Sequence, residues 1–510
     1  MFRRAFLVVL IAVLLSAGFL LYWTADANRF KPELQALLSE QSGIPVTIEG
    51  NLSWRLFPPL VLTAEAVNAD NDGQQWSVGK LALDMDVMTI LRTRDLEQWR
   101  VQALELTDVV MLDEGDRLRV QTLDLRDFRP GTPSPLLASL DYTADYAAAE
   151  STPVEVELDA LVTYQPQPQA IVFSPAKVST DAASGDCDLT LRPVVNPGEM
   201  PSATDADLVS VAMLRSFDWQ GECALAEITV DGQSFSNGNL ALENTGAVAT
   251  STLTLPEFFG GQAVANVVIN ASRLPPRWQV TPQLTDVDSQ LLMAWLDQRL
   301  QWMAALAYGG TIEFTGNTRE ELLASMSGNT TFDAGQGSIS ITKIKAPLLK
   351  IATLLKEPER VSAWPDLWDY QRLTGDWRIQ GAQHALDFAL DNLTVTAHGS
   401  YDVLDDQLDM LAELQFTTLA EGQMFDVNPL LMDLPIPVRC VGSADAPTCR
   451  LVGDAAQRIV ATALTSDEDS ALRAKIDEKI EEKVPEEYRD AARGLLDLLG
   501  GALEKSTEEQ

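Results

Sequence analysis

The chain has 510 residues, 46% of them hydrophobic, with 74 acidic against 37 basic side chains and a formal net charge of −37. Such a length suits two or three domains with a sizeable core. So acidic a surface repels nucleic acid and anionic headgroups at long range, which excludes nucleic-acid binding and points any lipid contact to the acyl tails rather than a basic headgroup pocket.

Arg3 and Arg4 precede an apolar run from Ala5 to Trp23 that contains no charge and no proline. At about 1.5 Å per residue the run just spans a hydrocarbon core of about 30 Å. The two arginines place residues 1–4 in the cytoplasm and everything after Trp23 across the membrane, with Tyr22 and Trp23 at the aromatic belt. A cleaved signal peptide is the competing reading, with Thr24-Ala25-Asp26-Ala27 as its small-residue site, but the apolar stretch exceeds the roughly 7–15 residues of a signal h-region. Both readings export the chain.

Phe30 to Gln41 reads as a short helix, with Pro32 in its first turn, Gly43 at its end and Leu34, Leu37 and Leu38 on one face. From Ile44 the dominant period is two. Leu81, Leu83, Met85 and Val87 alternate with polar or small residues, as do Val154, Val156 and Leu158. The same habit recurs at Leu189 and Leu191, Leu240 and Leu242, Ile312 and Phe314, Leu386, Phe388 and Leu390, and Leu393 and Val395. Alternation buries one face and leaves the other in water, and without long βαβ spacing the sheets are expected to be mainly antiparallel. Helices are few. Asp288 to Tyr308 reads as one, with Leu292, Trp295, Leu296, Met303 and Leu306 on a stripe, and Thr318 with Glu321 reads as the capping box of another. The tail, 462–510, reads as a charged helix with Leu472, Ile476, Ile480 and Val484 on one side, broken at Pro485. Arg129 to Pro135 and Pro193 to Pro201 read as loops or linkers.

Four cysteines occur, and an even count in an exported chain suggests disulfides with three allowed pairings. The sequence-local pairing joins Cys187 to Cys223 and Cys440 to Cys449, with Gly442 and Pro447 turning the second loop. Only His384 and His398 are present, a poor basis for a zinc site, and H-E-x-x-H, G-x-S-x-G and P-loop motifs are missing. No residue set stands out as catalytic, metal-binding or cofactor-binding, so the chain reads as a non-enzyme that needs no cofactor.

Two regions carry a resemblance. Asn28-Arg29-Phe30-Lys31-Pro32, Ser42-Gly43 and Gly50-Asn51-Leu52-Ser53-Trp54-Arg55-Leu56-Phe57-Pro58 resemble the N-terminal signature of the AsmA family. Leu284-Thr285-Asp286-Val287-Asp288 with Leu291-Leu292, Gly316-Asn317-Thr318 before Leu322–Gly328, Phe332 and Gly335, and Leu434-Pro435-Ile436-Pro437-Val438 with Cys440-Val441-Gly442 are similar to the family's C-terminal domain. The resemblance implies a single-pass bacterial inner-membrane protein whose bulk lies in the periplasm as a long, curved, mainly antiparallel β-sheet with a hydrophobic groove. It also implies phospholipid movement to the outer membrane, support of outer-membrane integrity, and assembly partners in the periplasm or outer membrane. The cysteine pairs are not part of that pattern. The expected organisation is a transmembrane anchor at 5–23, an AsmA-like β domain at 24–133, a middle β region at 134–250, an AsmA-like β domain at 251–461 and the helical tail at 462–510.

A sheet with few helices must cover its apolar face with a second sheet or with ligand. A trough accepting phospholipid acyl chains would lower a barrier of about 0.8 kcal/mol per exposed CH₂ without any catalytic residue. Leu386, Phe388 and Leu390 are candidate groove residues. Roughly 25 strands at about 4.8 Å give a trough on the order of 100 Å, so partial bridging completed by a partner is the expected mechanism. The alternatives are a scaffold that helps outer-membrane proteins assemble without holding lipid, and an exported enzyme. Uniformly apolar inward rows would favour lipid, and polar residues or side-chain plugs would favour a scaffold.

A reporter active only outside the cytoplasm is expected to work when fused after Gln510 and to fail when fused before Met1. Activity of a cytoplasm-dependent reporter at the C-terminus would overturn this topology.

Overall fold

The computed structural model describes residues 26–42, 44–55, 60–71, 74–85, 100–113, 116–143, 153–195, 207–298, 300–354, 357–418, 424–444, 446–452 and 481. The expected anchor Ala5–Trp23 and, Glu481 aside, the tail 462–510 lie outside these residues. Among the described residues no helix is long and apolar enough to cross a membrane. The fold is mainly β and antiparallel, and it divides into two compact units. One holds the described residues up to Leu253 together with Val268–Pro276, and the other holds Thr254–Val267 together with those from Arg277 onward.

The first unit opens with a 3₁₀ turn at Ala27–Phe30 and helix α1 (Lys31–Ser42), where the short helix was expected. Strands follow: β1 (Val46–Ile48), β2 (Leu52–Arg55), β3 (Leu60–Asn71), β4 (Gln74–Met85), β5 (Val101–Asp113), β6 (Asp116–Phe128), β7 (Ser134–Thr143), β8 (Val154–Pro166), β9 (Gln169–Thr180) and β10 (Ala183–Pro193). After helix α2 (Val211–Ser216) come β11 (Phe217–Val230) and β12 (Gln233–Thr245). β1 and β2 both pair with β3, and from β3 to β12 each strand pairs antiparallel with the next. The stretch around Arg129–Pro135 is a turn between paired strands β6 and β7. Tight turns make this meander possible: Asp231 and Gly232 both take positive φ, 47° and 76°, the geometry of a two-residue hairpin turn. β13 (Val248–Phe258) and β14 (Gly261–Asn270) each divide between the two units.

The second unit continues with β15 (Arg277–Asp288), helix α3 (Ser289–Trp295), β16 (Trp302–Thr315), helix α4 (Arg319–Ser325), β17 (Ser327–Asp333), β18 (Gly337–Ser340), helices α5 (Thr342–Leu354) and α6 (Pro358–Ser362), and β19 (Leu367–Tyr370). It ends with β20 (Leu373–Gln380), β21 (Gln383–Leu390), β22 (Leu393–Asp402), β23 (Gln407–Phe416), β24 (Ile436–Gly442) and β25 (Thr448–Leu451). The main sheet runs β15, β16, β17, β20, β21, β22, β23, β24, β25 in pairing order.

The helix expected over Asp288–Tyr308 stops at Trp295, and Trp302–Thr315 is a strand instead. Leu306 fits a helical stripe, but opposite Val287 it is 4% exposed and its partner 0%. Strands on both sides satisfy the backbone of this segment, and tertiary pairing overrides the local period. The Thr318 capping box is present, with the hydroxyl accepting from Glu321 N and the Glu321 carboxylate accepting from Thr318 N. Helices α5 and α6, which periodicity did not single out, bury Leu348, Ile351 and Val361, and Trp364, Trp368 and Phe425 are buried in mutual ring contact. Trp368 stacks on Phe425 at 3.9 Å and donates its indole N–H to Asp391 at 2.8 Å.

The two disulfides join Cys187 to Cys223 and Cys440 to Cys449, the sequence-local pairing. Each links residues directly opposite in neighbouring strands, β10 with β11 and β24 with β25. The first sits where β10 and β11 are separated by the long connection 194–216, and the second holds the four-residue strand β25. Chain entropy assigns about 4 kcal/mol to the loop of separation 36 and about 2.5 kcal/mol to that of 9. Replacing both Cys187 and Cys223 by serine is therefore expected to lower the denaturation midpoint more than replacing both Cys440 and Cys449. Equal shifts, or free thiols in protein from an oxidising compartment, would contradict this.

Candidate functional site

The N-terminal signature residues form a clasp. The Asp26 carboxylate accepts from Asn28 N at the start of the 3₁₀ turn. Asn28 then donates to the Asn51 side chain and accepts from Leu52 N, each at 2.9 Å. Phe30 packs on Trp54 with ring centroids 5.0 Å apart, over a cluster of Ala27, Leu52 and Ala64. Gly50 lies against the backbone of Glu65, where an added Cβ would meet the carbonyl oxygen at 2.4 Å. The clasp therefore fixes the segment nearest the expected anchor to β2 and β3.

From β3 onward the register builds one continuous apolar face. Directly opposed residues in an antiparallel pair share a face. Ala64, Leu81, Leu106, Leu123, Ala138 and Leu158 stand in one cross-strand row, continued by Val178, Gly185, Leu225 and Gly238. The row beside it runs Leu62, Leu83, Leu104, Leu125, Leu136 and Ala160, then Ala176, Cys187, Cys223 and Leu240. No ionisable side chain interrupts either row, and the Cys187–Cys223 disulfide is part of the surface. Leu81, Leu106, Leu123 and Leu158 are half-buried. The unit's helices pack at its ends, α1 against β1 and α2 against β11.

The opposite face is hydrophilic. Glu105, Asp124, Leu137, Asp159, Lys177 and Asp186 form a row there, with Arg126 paired to Glu105 at 2.6 Å and to Asp124 at 2.5 Å. A depression of about 810 Å³ lies over β5–β11. Thr107, Ser139, Asp159 and Lys177 line it together with Leu106, Leu123, Leu158 and Val178 of the first apolar row.

In the second unit Tyr308, Phe332, Gly375, Phe388, Val395, Leu414 and Ile436 form one row. Beside it stand Thr330, Trp377, Leu386, Ala397, Ala412 and Val438. The outer face carries Arg378 beside Asp387 at 2.5 Å and Arg439 beside Asp409 at 2.6 Å. A hydrogen bond from the Arg439 guanidinium holds the Asp409 carboxyl below the usual carboxylate range. The candidate groove residues Leu386, Phe388 and Leu390 all lie on the apolar face, but in different surroundings. Leu386 and Phe388 are half-buried, whereas Leu390 is 1% exposed beside Leu373, Leu393 and Phe416. Phe416 in turn meets Trp364 and Phe425, so this end of the face is capped by side chains.

Residues of the C-terminal resemblance also have local roles. Asp288 caps α3 by accepting from Gln290 N and Leu291 N at 2.8 and 3.2 Å, and Ile436 and Val438 are 0% and 3% exposed. Among the described residues, the histidine singled out for its strand-end position, His398, is exposed, while His384 is buried on the apolar face. No signal of spacing distinguishes the two in the sequence.

No curated protein and no solved structure matches the chain. The model of the AsmA family, the family that the N-terminal signature resembles, matches residues 3–117, which span the clasp and the first strands of the apolar face.

Proposed function

We propose that the protein is a non-enzymatic, inner-membrane-anchored lipid-binding module of the periplasm that supports phospholipid movement toward the outer membrane. The observation that carries this reading is the apolar face of β3–β12, which continues over ten strands, with Leu81, Leu106, Leu123 and Leu158 half-buried along it and, among the described residues, helices packed against β1 and β11. Nine steps of about 4.8 Å make a path on the order of 40 Å, longer than one extended acyl chain. Each methylene laid on such a surface recovers roughly 0.8 kcal/mol otherwise lost to water, and a sliding chain keeps that contact throughout. The AsmA family match at the N-terminus supports the same reading. The capped end of the second unit is a side-chain plug, which favours the alternative of an outer-membrane assembly scaffold for that part of the chain.

Native mass spectrometry of the detergent-extracted full chain is expected to show bound phospholipid. Leu123→Asp places a charge in the middle of the track and is expected to reduce bound lipid at least tenfold while the protein stays folded. Leu137→Asp, on the opposite face, is expected to leave lipid unchanged. Phe388→Asp tests the second unit in the same way, with thermal melting measured alongside because desolvating a charge there is costly. Wild-type protein that carries no lipid, and gives no lipid photo-crosslink from positions 123, 158 or 388 in cells, would leave the scaffold reading in front.

A further inference from the structure

Helix α3 and the turn after it form an apolar corner of the second unit. The Ser289 hydroxyl donates to Trp302 O and accepts from Ala304 N, each at 2.9 Å, so the two ends of the segment Ser289–Trp302 are tied at one point. Asp288 caps the helix, Leu292 is buried, and Trp295 packs against Phe258 and Phe259 with ring centroids 6.1 and 5.7 Å away. Leu296 N and Gln298 N donate to Leu292 O and Met293 O at 3.0 and 2.8 Å, which fixes the turn. From this held base three leucines stand in solvent: Leu291 is 51% exposed, Leu296 48% and Leu300 44%. A protein surface tolerates leucines scattered singly, whereas three on one tied segment mark a contact.

We propose that this corner dips into the surface of a zwitterionic phospholipid bilayer, as a membrane contact separate from the expected N-terminal anchor. The proposal goes beyond the lipid-carrying reading and needs no acyl groove. Three observations choose the occupant. Leu291 and Leu296 are five residues apart, about 140° around a helix, so one rigid flat surface does not cover both, whereas a fluid bilayer closes around them. Three half-exposed leucines also fall short of the roughly 800 Å² per partner that a stable protein interface buries, which argues against a second copy of this chain held through this corner alone. The sequence from Ser289 to Trp302 carries only Asp297 and Arg299 as charges, so the corner is locally neutral in a chain of net charge −37. It lacks the basic cluster that recruits anionic lipid, and the chain as a whole repels such lipid, which leaves zwitterionic headgroups.

All four cysteines are in disulfides, so Leu296→Cys gives a single thiol for a bimane label on the full chain, reconstituted in vesicles of phosphatidylcholine and phosphatidylethanolamine. Brominated phosphatidylcholine, placed either in the host vesicles or in added vesicles without protein, is expected to quench the label, and the arm that quenches tells which bilayer is touched. A label at Leu137→Cys, 53% exposed on the acidic face of the first unit, is expected to stay bright in both arms. Leu291→Ser combined with Leu300→Ser is expected to lower quenching at position 296 about threefold, with unchanged thermal melting because both side chains already stand in water. Adding phosphatidylglycerol is expected to lower it as well, and Leu123→Asp, the test of carried lipid, is expected to leave it unchanged. No quenching in either arm overturns the proposal, as does equal quenching at position 137 or stronger quenching with phosphatidylglycerol. Quenching that disappears together with bound lipid in Leu123→Asp also overturns it, because the label would then report a carried lipid. Dimers crosslinked through the unlabelled Leu296→Cys thiol, without quenching, make a second copy the occupant and overturn it too.

Discussion

Every strand from β3 to β12 depends on in-register pairing of alternating sequences. Because side chains alternate with period two, a slip of one residue in any of these strands would carry a row of leucines to the acidic face and its carboxylates to the apolar one. The ion pairs of the outer face, such as Arg126 with Glu105 and Asp124, are exposed and contribute little individually. Register is therefore held mainly by the leucines, and the same rows that specify pairing form the surface assigned to lipid. On the proposed function, structure and activity would share one set of residues.

Long connections and short strands carry extra restraints. β10 and β11 lack a tight turn, and a disulfide replaces it. β25 pairs through only four residues, and a second disulfide holds it to β24. β1 and β2 are short, and the Asn28–Asn51 and Phe30–Trp54 contacts tie the preceding helix to them. At the turn after β22, Ser443 donates to Asp406, which also accepts from Ala444 N and Tyr401, and these bonds lower its pKa. This clip stabilises the fold above the ordinary carboxylate range and weakens as pH falls through the depressed value of the folded state.

The two units use the same alternation differently. In the first, the described helices pack against β1 and β11, and Leu106, Leu123 and Leu158 between them are half-buried. In the second, α5, α6 and the Trp364–Trp368–Phe425 group cap one end and leave Leu386 and Phe388 half-buried. A net charge of −37 disfavours long-range attraction of anionic headgroups, which is why the proposed lipid contact is assigned to acyl tails.

Local patterning was enough to read a mainly antiparallel β fold from period two, the capping box from Thr318 and Glu321, and the short helix before β1 from Pro32, Gly43 and its leucines. The same locality limits it. Helix Ser289–Trp295 and strand Trp302–Thr315 share a stretch whose apolar residues satisfy both periods, and only pairing with β15 and β17 decides between them. The leucines of the apolar face are each visible in the sequence, but their alignment across ten strands depends on turns and bulges distributed over the chain. Whether a groove candidate is open, like Phe388, or sealed, like Leu390, depends on side chains arriving from Trp364, Trp368 and Phe425. His384 and His398 look alike in sequence, and only the tertiary structure separates them, because burial and the Trp377 hydrogen bond are made by residues that meet through folding.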